Sequence, residues 1–291
     1  MAQPKKAPKK KSSLNKARMR ATMERSLDST RNERRSKERL AQDLVYDAME
    51  AETSEQRLDL AWQALALDPE HADALLMVLD STRFEGEDRI DALRRIVSVA
   101  ERRLGKNAVE EHAPHFWGVL DTRPYMRARM HLAEELRAAG RLEEAIEHYK
   151  EMLVLNENDN QGVRYYLLPC LLALKRLDDA RALMKCYPGE CDWNAAFAWG
   201  RVLERLLSGD NRGAAKALDA ARKQNPHLEV YLNSQKRLPK NLPHSYSPGS
   251  KDEALCYAEL VRKAWQRHRE AEVWLAKQRE TNPMERMDRK D

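Results

Sequence analysis

The chain has 291 residues, of which 34% are charged and 42% are apolar, so it can bury the core of one or two domains. Leu and Ala contribute 37 residues each, against 12 Val and 3 Ile, so side chains that favour helices outnumber those that favour strands. This composition excludes a large sheet, and the 10 glycines form no phosphate-binding loop of the kind that most nucleotide-binding folds use.

Charge is divided unevenly along the chain. Residues 1–40 hold 14 Lys and Arg against 4 Asp and Glu, whereas the rest holds 38 against 43, for a formal net charge of +5. We predict that residues 1–35 form a disordered polybasic tail, because residues 1–12 cannot bury enough apolar surface to offset the entropy of ordering. From Ser13 to about Arg39 the composition is compatible with a helix that is frayed alone and forms against a partner.

This tail has the charge of a polyanion-binding segment. Its first 20 residues contain no acid and can neutralise several phosphates, which favours non-specific contact with nucleic acid or another polyanion. It lacks the interleaved aromatic residues that stack on single-stranded bases. A solubilising extension is the alternative interpretation. The basic residues concerned are Lys5, Lys6, Lys9, Lys10, Lys11, Lys16, Arg18 and Arg20.

Cysteine usage and hydropathy indicate a cytoplasmic protein. Four Cys are too few for a disulfide framework in a chain of this length, so we expect reduced thiols. No stretch approaches 18 consecutive apolar residues, and the N-terminus lacks the apolar region of a secretory signal, so we predict no membrane span. The basic N-terminus is compatible with an organelle transit peptide, which its preference for Lys over Arg disfavours.

After the tail, apolar residues recur at helical spacing. The first stripe, at Leu40, Leu44, Val45 and Ala48, marks the start of the folded body. A degenerate helical repeat ends at Pro69, and two further helices are predicted at residues 71–83 and 88–104.

A helical hairpin then repeats with a period near 35 residues. In the clearest copy, residues 123–157, Gly140 separates two amphipathic helices, and Ala133 and Ala145 let them approach closely. A second copy follows one period later, and a third is clearest in its second helix at residues 214–226. This is the spacing of the tetratricopeptide repeat. We therefore predict an all-α fold in which residues 36–235 form a tetratricopeptide-like solenoid.

The C-terminal segment differs from the repeats. It begins with a loop rich in Pro, after which Ser250 and Glu253 form a capping box that starts a helix. We predict that residues 236–291 are this loop followed by a pair of capping helices, because a solenoid needs terminal elements with one polar face.

Several short sequence segments indicate a family more specifically than the repeat spacing does. They are Trp117, DTRPYMRA at residues 121–128, NENDNQGVRY at 156–165, NPHL at 225–228 and YSPG at 246–249. Over about residues 60–275 the chain resembles a group of bacterial tetratricopeptide-repeat proteins related to the suppressor-of-tumorigenicity-seven family. The resemblance implies a soluble helical-repeat protein and does not imply a catalyst. It does not extend to the basic tail.

The first helices of such repeats line a groove that takes an extended peptide or a partner helix. Amide side chains there can hydrogen-bond a peptide backbone, and Arg can pair with a carboxylate. Two simpler interpretations stay open: Asp159 and Asn160 cap a helix, and Arg127 and Arg164 are solvated surface residues. The candidate partner-binding residues are Arg127, His131, Asn160, Gln161, Arg164 and Tyr165.

The tryptophans give a similar choice. Trp62, Trp199, Trp265 and Trp274 lie among small apolar residues, so we expect them in the core. Trp117, which follows Phe116, fits either core packing, which we favour, or an anchor in the groove.

Motifs for catalysis or for metal binding are weak. The sequence has no Gly-x-Ser-x-Gly, no His-Glu-x-x-His and no Walker loop. The pairs His112/His115 and Cys186/Cys191 are about 70 residues apart, which disfavours a shared zinc site. We therefore predict no cofactor and a non-enzymatic adaptor that binds a peptide or protein in its groove. The alternative is a nucleic-acid-associated protein that contacts phosphates through its tail.

Overall fold

A computed structural model describes residues 10–233 and 236–280 of the chain. Within these ranges the secondary structure is helical, without a β-strand, so the predicted all-α class is confirmed. The chain divides into two compact units, residues 1–103 and 104–291, whereas the sequence predicts boundaries near residues 35 and 235.

The first unit is built from four helices. Small side chains let α1 and α2 lie side by side, and α3 packs against α2. The core shared by these three helices includes Ala41, Val45, Ala61, Ala64 and Ala74. The helices are α1 (Lys10–Glu50), α2 (Ser54–Leu67), α3 (Ala72–Asp80) and α4 (Gly86–Leu104).

Ion pairs connect α4 to the turn between α2 and α3. Arg103 pairs with the buried carboxylate of Asp68 and lies 3.8 Å from Glu38 of α1. Arg102 lies 3.0 Å from Glu70. The shared Arg103 guanidinium therefore joins three elements of the first unit.

The N-terminal helix begins inside the predicted tail. Residues 1–9, with Lys5, Lys6 and Lys9, lie outside the described residues; from Lys10 the backbone is helical where the sequence predicts disorder through residue 35. Residues 30–37 are all exposed, so their side chains face solvent. Ion pairs one turn apart, such as Lys37 with Glu33 at 3.0 Å, favour the helix there.

The second unit contains the repeats. Two short 3-10 turns, Phe116–Gly118 and Leu120–Thr122, precede the first hairpin. The helices are α5 (Ala108–His112), α6 (Arg123–Ala138), α7 (Leu142–Leu155), α8 (Val163–Ala173), α9 (Leu177–Cys186), α10 (Glu190–Trp193), α11 (Ala195–Leu207), α12 (Asn211–Gln224), α13 (Glu229–Leu232), α14 (Lys251–Gln266) and α15 (Arg269–Glu280).

Three hairpins, α6–α7, α8–α9 and α11–α12, turn in the same way. Gly140, Lys175 and Gly209 lie between the paired helices with φ of 81°, 54° and 79°. Each donates its amide to a carbonyl three residues back, and the next residue donates to a carbonyl five residues back. This is the Schellman termination, which needs a left-handed residue and repeats here every 34 or 35 positions.

The hairpins pack through small residues, as the repeat pattern predicts. Ala133 and Ala145 are fully buried, with Leu136 and Tyr149 beside them. Along the unit, α7 packs on α8 and α8 packs on α11, so the repeats share one continuous core.

Two of the predicted core tryptophans are buried and two are not. Trp199 and Trp265 are fully buried, as expected, and Trp274 is half-buried. Trp62 is 54% exposed, so the prediction of a core position was wrong. Ala61 and Ala64 take the inward face of α2, and the spacing of a helix turns Trp62 about 100° away from Ala61.

Candidate functional site

The first helices of the three repeats, α6, α8 and α11, form what we call the first-helix face. Arg127 and His131 lie on α6 and are half-buried. Arg164 and Tyr165 lie in the first turn of α8 and are also half-buried. All four positions were predicted at this face.

Arg127 contacts Trp117. The guanidinium carbons of Arg123 and Arg127 lie 5.5 and 5.9 Å from the centroid of the Trp117 ring. Arg123 Nε also donates to the Trp117 carbonyl at 2.8 Å. Phe116 is fully buried and fills the core, whereas Trp117 is half-buried between two cations. One edge of the first-helix face therefore presents an indole and two guanidinium groups.

Arg164 belongs to a network at the start of α8. Its guanidinium lies 2.8 Å from Asp159 Oδ2 and 3.1 Å from Glu190 Oε1. The rings of Tyr165 and Tyr187 cover it, with centroids at 4.4 and 4.9 Å. Its side chain is 17% exposed, so Arg164 is not a solvated surface residue. Two carboxylates already neutralise its charge.

The carboxylate of Asp159 belongs to the same network. Its carboxylate accepts the amides of Val163 at 2.6 Å and Arg164 at 3.0 Å, which caps α8. Burial raises the pKa of this carboxyl, whereas the two amides and the Arg164 guanidinium lower it. The capping interpretation therefore describes Asp159, although its φ of 45° places it outside the helix.

Three other predicted residues surround the start of α8. Asn160 is exposed and accepts a hydrogen bond from Asn156 at 3.2 Å. The Gln161 amide donates to the Met126 carbonyl at 3.4 Å, which links α6 to this segment. Tyr165 donates its hydroxyl to Glu190 at 3.0 Å. Asn160, Gln161 and Tyr165 thus lie together at the start of α8, where each makes a side-chain hydrogen bond.

Helix α14 packs across the first-helix face. It contacts both α8 and α11. The Tyr257 ring meets Tyr165 of α8, with centroids 6.1 Å apart, and the Trp265 ring meets Trp199 of α11, with centroids 6.5 Å apart. Arg137 of α6 lies 3.3 Å from Glu259. The sequence predicts a capping role for this helix and misses its contact with the first-helix face.

One sequence signal could have revealed the contact of α14 with the first-helix face. It is the spacing of Tyr257, Val261 and Trp265. These residues are four apart, so they lie on one side of α14, and all three are buried. A terminal capping helix needs one polar side and one apolar side, but it does not need large aromatic residues at both ends of the apolar side.

A polar cluster lies beneath α14. Burial raises the pKa of Glu134, whereas the charges of His131 and Arg137 and a hydrogen bond from Tyr166 lower it. Burial also raises the pKa of the Cys170 thiol to about 12. Arg137 lies over the Tyr166 ring, 5.8 Å from its centroid. The cluster thus joins α6, α8 and α14 through partly buried polar groups.

The candidate metal ligands lie apart. Among the described residues, no group of three or more His, Cys, Asp or Glu is placed to hold a metal ion. His112 is half-buried, His115 is exposed, Cys186 is exposed and Cys191 is half-buried. None of these four lies on the first-helix face.

Five of the eight basic residues predicted to bind a polyanion lie in the described part of the chain. Lys10, Lys11, Lys16 and Arg18 belong to α1 by their backbone, and Arg20 is exposed on the same helix. None of the described helices is both long enough and apolar enough to cross a bilayer.

Comparison with known proteins agrees with this architecture. A tetratricopeptide repeat model matches residues 136–189, which run from the end of α6 through the turn after α9. A Protein ST7 homolog of Caenorhabditis elegans is 25% identical over 266 residues, and one of Drosophila melanogaster is 24% identical over 251 residues. The chain is a tetratricopeptide-like protein that resembles the ST7 proteins.

The matches cover 77% of this chain in both cases, but 48% of the nematode protein and 45% of the fly protein. The chain therefore spans about half the length of the curated relatives that it matches.

Proposed function

We propose that the chain is a non-enzymatic scaffold that binds a peptide or protein on its first-helix face. The tetratricopeptide match over residues 136–189, together with three helical hairpins that turn alike, supports this function. Stacked helical hairpins build extended surfaces that recognise other proteins. We also propose a cytoplasmic location.

The part of the face on α6 is the best position for a first contact. Arg127 and Arg123 stack on Trp117, which keeps their guanidinium groups beside a half-buried indole. Such a group of Arg and Trp suits a partner with a carboxylate next to an apolar side chain. His131 lies one turn further along α6. Arg164 contributes less charge, because Asp159 and Glu190 already neutralise it.

An Arg127→Glu variant tests this surface. In a pull-down from the source cells, we expect the variant to lose a partner that the wild-type chain retains, because the charge facing the partner is reversed. Arg212→Glu on the exposed side of α12 is the matched control and should retain the partner. Equal recovery of every partner by all three chains would show that the contact lies elsewhere.

The basic N-terminal segment supports a second function, binding of nucleic acid through phosphates. Residues 1–40 hold 14 Lys and Arg against 4 acids, and the described part exposes all residues from 30 to 37 on a helix. Each neutralised phosphate releases counterions, so affinity should fall steeply as salt rises.

Deletion of residues 1–35 tests this second function. We expect the deletion to abolish binding to duplex DNA and the steep salt dependence with it. If the truncated chain kept the same affinity and salt slope, the tail would not be the contact.

A further inference from the structure

We propose that the first-helix face is a binding surface for an amphipathic helix of a partner protein, and that α14 occupies it as an internal counterpart. This inference rests on the proposed scaffold function and identifies the kind of ligand. The partner helix that we infer carries aromatic residues eight positions apart and an acidic residue two positions after the first.

This ligand pattern comes directly from the contacts of α14. Tyr257 packs its ring edge-on against Tyr165, and its hydroxyl accepts from the amide of Asn194. Trp265 lies two turns further along and packs edge-on against Trp199. Two aromatic anchors on one side of a helix, each meeting an aromatic residue of the face, are typical of helix-in-groove recognition.

Charge complements the aromatic contacts. Glu259, between the two anchors, lies 3.3 Å from Arg137 of α6, whose side chain is 11% exposed. Because this guanidinium is partly buried, the face favours a helix that brings a carboxylate to it. The acidic position of the inferred ligand is set by this pair.

The contact between α14 and the face leaves polar atoms unpaired. Among the described residues, the indole nitrogens of Trp199 and Trp265 and Nε of Arg137 are buried without a hydrogen-bond partner. A small gap also remains between the two surfaces, lined by Pro169 and Cys170 on one side and Leu260 and Ala264 on the other. The Trp265 indole leaves with α14, but a partner helix that supplies acceptors for the donors of Trp199 and Arg137 would bind better than α14 does.

The chain that precedes α14 allows it to leave. Residues 236–250 form a loop without a helix, and most of them are exposed. Separation of α14 from the face would therefore not require any of the repeat helices to unfold. Separation does require loss of the hydrogen bonds that hold the start of α14, among them those that Asn225 donates to the Ser250 carbonyl at 2.9 Å and to Glu253 at 2.7 Å.

Cys170 reports on this separation, since its thiol lies on α8 beneath α14 and is 2% exposed. The experiment uses full-length protein in which Cys186, Cys191 and Cys256 are replaced by Ser. We expect a thiol reagent to label Cys170 faster than the chain unfolds. Glu259→Lys should speed this labelling by about tenfold, because it places two cations together. Glu143→Lys, the same change on the exposed side of α7, should leave the rate unaltered.

A peptide supplies the partner helix in trans. The probe is a fluorescent peptide of residues 250–268 with Cys256→Ser. We expect it to bind the Glu259→Lys chain about tenfold more tightly than the wild-type chain, because the weakened α14 competes less. It should also slow the labelling of Cys170 in that variant. The same peptide with Tyr257→Ala and Trp265→Ala should not bind.

Two results would overturn the inference. One is labelling of Cys170 only at the rate of global unfolding in every variant, which would make α14 a fixed part of the fold. The other is opening of α14 without binding of the peptide. Either result would leave the Arg127→Glu pull-down unaffected, so failure of this inference can be told from failure of the scaffold function.

Discussion

At the scale of single residues, Asp159 does more than cap a helix. Its carboxylate accepts two amides of α8 and pairs with Arg164, and its side chain is completely buried. Because the same group satisfies the backbone and neutralises a partly buried cation, its removal leaves several charged or polar groups unpaired. The first turn of α8 thus depends on one side chain that lies outside the helix.

Asp159→Ala should therefore destabilise the chain by about 3 kcal/mol, measured by urea unfolding. Asp159→Asn should cost less, because its amide oxygen still accepts from Val163. Asp178→Ala is the control: the Asp178 side chain is fully exposed, so a change within about 0.5 kcal/mol is expected. Equal effects at both positions would contradict the role of Asp159.

Glu134 makes stability depend on pH. Burial raises its pKa in the folded chain, so the folded chain binds this proton more tightly than the unfolded chain. Ionisation of Glu134 then costs stability, and the cost appears as pH rises from the unfolded pKa through the folded pKa. Glu134→Gln has no such cost. We expect the variant to gain stability relative to wild type as pH rises above the unfolded carboxyl pKa of about 4 and through the raised pKa of the folded chain.

Urea titrations of the wild-type and Glu134→Gln chains at a series of pH values measure the difference between their free energies of unfolding. The other carboxylates titrate in both chains, so their contributions cancel in this difference. A difference that is constant with pH, or that shrinks as pH rises, would show that the Glu134 pKa is not raised.

At the scale of the helical elements, the repeat is defined by its turns. Gly140 and Gly209 adopt the left-handed conformation without cost, but Lys175 occupies the equivalent place with a φ of 54°. A residue with a Cβ is strained there by about 1 kcal/mol. The second hairpin thus has the same turn as the first, although it lacks the glycine that this turn prefers.

Lys175→Gly should therefore stabilise the chain by about 0.5–1 kcal/mol in thermal or urea unfolding. Lys185→Gly, in the last turn of α9, should instead destabilise it by about 0.5–1 kcal/mol, because glycine there loses more entropy on folding. Loss of stability in both variants would indicate that the Lys175 side chain makes a favourable contact that outweighs the backbone strain.

The hairpins could be predicted from sequence because their pattern is local. Small residues such as Ala133 and Ala145 mark where two adjacent helices touch, and Gly140 marks the turn between them. The contact of α14 with α8 could not be predicted in this way, because the two helices are far apart in sequence. The burial of Arg164 depends on Glu190 and Tyr187, which the repeat period does not bring into register.

At the scale of the whole molecule, the chain combines two compact units of different construction. The repeat hairpins belong to residues 104–291, whereas residues 1–103 contain the long α1, in which residues 30–37 are exposed. Among the α1 residues whose burial is described, the buried stripe begins at Ala41. Helix α1 thus has a packed C-terminal part and a solvated part before it.

Limited digestion with trypsin should cut first in the solvated part, because an exposed helix opens locally more often than a packed one. We expect early cleavage between Arg31 and Arg39, followed by a stable fragment that contains both packed regions, identified by mass spectrometry. Val45→Ala, inside the packed part, should extend cleavage further along α1. First cleavage within α6–α12 would contradict this order.

The position of α14 in the chain also has a consequence for synthesis. The ribosome completes α6, α8 and α11 before it reaches residues 251–266, so the surface that α14 covers is exposed on the nascent chain. At about 5–20 residues per second, translation from Leu207 at the end of α11 to Gln266 at the end of α14 leaves this surface open for about 3–12 s. A partner made nearby meets an uncovered surface during that interval, before any internal competitor exists.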